Sequence, residues 1–87
     1  MKDNPHQSHP QITARLRRAH GHLAKVIAML EEQAHCSDIA QQLFAVEKAI
    51  VKAKRVLIHD HIDHCLSSDR ESSGPDIEDF KTITKYL

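Results

Sequence analysis

His61 and Cys65 stand four residues apart, a spacing that sets both side chains on one face of a helix. The other cysteine, Cys36, lies about twenty-five positions earlier. Thiolates and an imidazole select soft or borderline ions: Cu(I), Zn(II), Ni(II) and their relatives. If Cys36 and His61 share one helix, a rise of about 1.5 Å per residue separates them by about 37 Å. No single ion can then touch all three within one chain. Cys36 of one chain must meet the His61–Cys65 pair of another, so the spacing predicts a metal site built across an antiparallel helix dimer. Cys36 also falls at or just before a helix start, where the positive dipole end favours the thiolate that a metal needs.

Eight histidines in 87 residues are an excess that calls for metal or pH chemistry. His6 and His9 lie in the N-terminal stretch and can supply a fourth ligand. His20, His22, His35, His59 and His64 read as solvated, with His35 and His64 placed beside the proposed ligands. Two thiolates and one imidazole suit three-coordinate Cu(I), whereas one added histidine gives an N₂S₂ set for square-planar Ni(II). The histidine-bearing arm favours Ni(II) ahead of Cu(I), with Co(II) and Zn(II) also compatible. An isolated cysteine on an apolar stripe is commonly a small core residue. Two cysteines and a histidine aligned at helix ends weigh against that.

The elements that position these residues follow from the apolar periodicity. Residues 1–11, polar and carrying Pro5 and Pro10, read as a flexible arm. Ile12, Leu16, Ala19, Leu23, Val26 and Leu30 then recur in steps of four and three, the period of a bundle helix. Gly21 interrupts this run at a cost of about 1 kcal/mol, which suggests close backbone packing. Glu31 to His35 read as a short connection, with Ser37 or Asp38 as cap of the next helix. Its stripe is Ile39, Leu43, Val46, Ile50, Ala53, Leu57, His61 and Cys65, so the ligands continue the buried face over a helix of roughly 28 residues, or about 42 Å. Ser67 to Pro75 has linker composition. A short third helix carries Ile77, Phe80, Ile83 and Leu87 on one face.

The fold class is all-α, with residues 12–87 as a single helical domain. A chain this short is marginal alone, and two copies in antiparallel arrangement can build a four-helix core with the third helices over its ends. No apolar run nears the ~20 residues of a membrane span, and no signal-peptide segment is visible, so a cytoplasmic protein is expected. In that compartment the two cysteines are ligands or redox thiols rather than a structural disulfide. The formal charge is zero, yet residues 1–30 carry Lys2, Arg15, Arg17, Arg18 and Lys25 against Asp3 alone. Arg15 and Arg18 lie a turn apart, and Lys48, Lys52 and Arg55 follow helical spacing. Together they read as a stripe for DNA phosphates, although such charges are commonly just a solvated face. No helix-turn-helix or aromatic platform is apparent.

The segments RLRRAHGHL, HCSDIAQQLFAVEKAI and HDHIDHCL, in this order and spacing, resemble the CsoR/RcnR/FrmR family of bacterial metal- and formaldehyde-responsive repressors, over about Ile12 to Leu66. The resemblance implies an all-α dimer that pairs into a tetramer. It implies a repressor that binds operator DNA when metal-free and releases it on binding its effector, freeing metal efflux or resistance genes. By position, Cys36, His61 and Cys65 match the family's copper-sensing ligands. Nickel-sensing members add an arm histidine, where His6 and His9 stand offset in register. The nickel–cobalt type, with histidine at the last ligand position, does not fit Cys65. Arg15, Arg18 and Lys48 fall where the family contacts DNA. Formaldehyde sensors carry an N-terminal proline where this chain has Lys2, and persulfide sensors lack the histidine ligand.

Two other readings compete with a metal-responsive repressor. One is a metal-buffering or chaperone protein without DNA binding, supported by the surplus histidine. The other is a thiol redox sensor acting through Cys36 and Cys65. No nucleophile–base pair is apparent, so an enzyme is not expected.

Overall fold

The computed structural model describes residues 8–68 and 74–87, with the side chains of residues 64–68 and 74–76 outside the description. It contains three helices and, among the described residues, no strand: α1 (His9–Glu31), α2 (Cys36–Ser68) and α3 (Gly74–Thr84). The all-α expectation is met. Several boundaries differ from the sequence reading. α1 starts at His9, inside the stretch read as an arm, because Pro10 is tolerated in a first helical turn where its missing N–H has no helical partner. α2 runs 33 residues, through Ser67 and Ser68 of the expected linker, and α3 already includes Gly74 and Pro75.

The turn between α1 and α2 is closed by backbone groups. The Ala34 N–H donates to the Met29 carbonyl (3.0 Å) and the Gln33 N–H to the Leu30 carbonyl (3.1 Å), with Gln33 in the left-handed region at φ 61°. This is the paired 6→1 and 5→2 bonding that ends many helices. Its apolar partners Met29 and Ala34 pack on the cluster of Val26, Ile39 and Val46. The α2 start is not capped by Ser37 or Asp38. The His35 carbonyl accepts from the N–H groups of Asp38 and Ile39, both at 3.0 Å, and Cys36 is the first helical residue.

α1 and α2 form an antiparallel hairpin, and its core is a subset of the expected stripes. Ile12, Ala19 and Val26 on α1 and Ile39, Val46 and Ala53 on α2 are buried, each set at intervals of seven. The alternate members are not. Leu16, Leu23 and Leu30 remain 43%, 36% and 57% exposed, and Leu43, Ile50 and Leu57 remain 47%, 44% and 38% exposed. The stripe that leads to His61 therefore does not continue the intrachain core. A slab of 56 × 30 × 14 Å is about one helix thick, and a single layer buries only the side chains between its helices. Gly21 also departs from expectation: it is exposed, and a Cβ there would meet nothing within 4 Å. α3 returns onto α2, and Ile58 of α2 is also buried.

Candidate functional site

Cys36 and His61 occupy the first turn and the last third of one continuous helix, so the 37 Å separation expected from sequence applies. At about 100° per residue, His61 and Cys65 project within about 20° of Cys36, one to either side. Leu43, Ile50 and Leu57 mark the exposed apolar row between them. Cys36 is an exposed free thiol. His61 is largely covered, and its Nε2 lies 2.9 Å from Oδ2 of Asp79 on α3. Asp79 was not singled out from sequence. Cys65 lies one turn past His61 on α2, but its side chain, like all of His6, lies outside the described residues.

Among the described residues no three His, Cys, Asp or Glu side chains gather to hold a metal. His9 begins α1. Ile12, one turn further on, lines an apolar groove with Leu16, Ile50, Ala53, Lys54 and Leu57. The antiparallel hairpin thus sets His9 at the His61 end of α2, away from Cys36. His20, His35 and His59 are exposed, as expected. His22 is not solvated: its Nε2 stands 2.6 Å from Oε1 of Gln42 on α2.

The basic residues divide between two grooves. Arg15 and Arg18 line one of about 290 Å³ with Ala19, His22 and Ala49. Ala49 and Ile50 flank the buried Val46 and Ala53 row on opposite sides, so this basic groove and the apolar one open on opposite faces of the hairpin. Lys48, Lys52 and Arg55 line a second groove of about 330 Å³ with Phe44, Glu47 and Val51. The Lys48 ammonium sits 5.3 Å from the Phe44 ring centroid, within cation–π range. Phe44 is exposed and was overlooked because it stands outside the apolar period.

A profile of the family described as "Metal-sensitive transcriptional repressor" matches residues 8–86. The chain belongs to this family. Among its curated relatives, the copper-sensing transcriptional repressor CsoR of Mycobacterium ulcerans is 44% identical over 54 residues, covering 62% of this chain and 46% of the relative. CsoR of Bacillus subtilis is 36% identical over 81 residues, covering 86% and 80%. The copper-sensing repressor RicR of Mycobacterium tuberculosis is 30% identical over 69 residues, covering 79% and 72%. The match spans less than half the length of the first mycobacterial relatives. No solved structure shows a significant match. No helix among the described residues is long and apolar enough to cross a membrane.

Cys36 presents a thiol at a helix start, and His61 presents an imidazole braced by a carboxylate, the arrangement that fixes the tautomer of ligating histidines.

Proposed function

We propose that the chain is a Cu(I)-responsive repressor of transcription, with Cys36 of one protomer and His61 and Cys65 of another as its ligands. The observation that carries this reading is the exposed Leu43–Ile50–Leu57 row, with ligands at both of its ends on one uninterrupted helix. Two such rows laid antiparallel bury each other's leucines and bring Cys36 of each chain to the His61–Cys65 end of its partner. Sequence alone ranked Ni(II) first. The copper-sensing relatives and a three-donor set of two thiolates and one imidazole favour Cu(I).

A bound Cu(I) would supply a soft Lewis acid that draws two thiolates and an imidazole together. Asp79, by accepting from Nε2, would direct Nδ1 of His61 toward the ligand position. In the metal-free protein, Arg15 and Arg18, with Lys48, Lys52 and Arg55, would contact operator phosphates from the hairpin faces turned away from the apolar row. Joining Cys36 to the partner's His61–Cys65 pair would shift one chain relative to the other and alter the spacing between basic grooves, which would weaken the hold on DNA. The coupling must be reciprocal, and about 1–3 kcal/mol is ordinary for such a switch.

A gel-shift titration with duplex from the chain's own promoter tests this. Cu(I) should release the DNA at lower concentration than Ni(II), Co(II) or Zn(II), and DNA affinity unchanged by all four ions would sink the reading. A Ni(II) reading keeps one supporting observation, the placement of His9 at the His61 end. It predicts that Ni(II) releases DNA and that His9→Ala removes the response.

A further inference from the structure

The geometry points to His22 as a third cationic contact in the Arg15–Arg18 groove, one that enters the DNA complex protonated, so that DNA binding takes up a proton. The inference rests on the DNA-binding reading above and deepens it. His22 lines the groove beside both arginines and is half-buried between the two helices. Its Nε2 donates to Gln42 Oε1 at 2.6 Å, which assigns the proton of the neutral ring to Nε2. Nδ1 of that neutral ring is an acceptor and would turn a lone pair toward a phosphate oxygen. The imidazolium instead offers Nδ1–H as a second donor while keeping the Gln42 bond. A phosphate seated between Arg15 and Arg18 favours the charged ring through its own negative charge.

The surroundings leave the incoming phosphate as the anion that decides. α1 packs against α2 alone among the described helices. On α1, Arg15 and Arg18 share the groove, and Lys25 stands one turn past His22. From α2 come Ala49 and Gln42, neither of which titrates, while Asp38 lies one turn before Gln42 and carries the first-turn negative charge of that helix.

Phosphate contacts are independent of sequence, so a fluorescein-labelled random-sequence duplex serves as probe for the full-length protein. Anisotropy titrations at constant ionic strength should show affinity falling by about threefold to tenfold per pH unit as the imidazolium titrates, the limit for one proton taken up. His22→Gln should bind more weakly at pH 6 and flatten the profile. Gln42→Glu, which presents a carboxylate to Nε2, should carry the fall to higher pH. His22→Lys, with a fixed charge, should bind at pH 8 more tightly than the wild type. Circular dichroism checks that each variant keeps its helices, since a purely structural His22–Gln42 bond would alter melting without altering the pH slope. A wild-type profile as steep in His22→Gln as in the parent overturns the proposal. Arg15→Ala and Arg18→Ala without effect on duplex binding would overturn the DNA-binding reading itself.

Discussion

Two apolar rows of the same hairpin have different fates. Ile12, Ala19 and Val26 meet Ile39, Val46 and Ala53 and are buried within one chain, whereas Leu16, Leu23 and Leu30, with Leu43, Ile50 and Leu57, stay largely exposed. The residues interleave in sequence and share one chemical character. What separates them is geometry: rows spaced seven apart sit side by side on a helix, and a two-helix layer can cover only one of them. The small Ala19 and Ala53 occupy the inner row, where helices approach closely, and bulkier leucines dominate the outer one. The inner row holds the hairpin, and the outer row stays exposed, where the proposed assembly would set a second chain. The candidate ligands stand on the outer row, so the proposed metal site would form only with that assembly.

The sharpest way to break this comparison is one substitution on each row, a charge on the outer and a truncation on the inner. Ile50→Asp should abolish oligomers in sedimentation and with them tight Cu(I) binding, because an unpaired carboxylate cannot be buried against a partner. Val46→Ala on the inner row should cost about 2 kcal/mol of stability through the cavity it leaves and preserve the oligomer. If Ile50→Asp still sediments as the wild type does, the outer row is not the interface.

Next in size is a mixing test of the cross-chain site. Cys36→Ala and His61→Ala should each lose high-affinity Cu(I) binding alone. Co-refolded, they should recover it in heterodimers, which hold one intact Cys36 opposite one intact His61–Cys65 pair. A competition titration reads the recovered stoichiometry. Failure to recover any tight site in a mixture proven to contain heterodimers would defeat the cross-chain assignment.

Asp79→Asn probes the bracing of His61 and should weaken Cu(I) binding by about 10–100-fold, the range for loss of a ligand's supporting carboxylate. Secondary structure should be unchanged, because Asp79 is more than half exposed. An affinity within threefold of wild type would mean that Asp79 does not orient the ring.

The three helices and the ligand alignment were legible because both depend on short periods: steps of three and four, and twenty-five residues of rise. Which half of each stripe the hairpin buries was not legible, because apolar residues at either position satisfy the same pattern. The start of α1 was missed because Pro10 reads as a breaker, although a first helical turn accommodates it. His22 falls off the stripe and so reads as solvated in the sequence. Its partner Gln42 sits twenty residues away, and nothing in local sequence pairs them. Asp79 escaped notice for the same reason, since only the return of α3 onto α2 brings it to His61.

The smallest expected effect separates the turn from the switch. Gln33 adopts φ 61°, a region that costs a non-glycine residue about 1–2 kcal/mol, next to a turn that leads directly into Cys36. Glycine adopts it freely but loses more chain entropy on folding, so Gln33→Gly should raise stability by about 0.5–1 kcal/mol in urea denaturation. The turn belongs to the inner row, since Met29 and Ala34 pack on Val26, Ile39 and Val46. The gain should therefore appear in the hairpin and leave Cu(I) affinity and DNA release unchanged, although Cys36 is three residues away. A change in Cu(I) affinity larger than the change in stability would show that the strained turn helps to set the Cys36 position, and the two rows would no longer be separable.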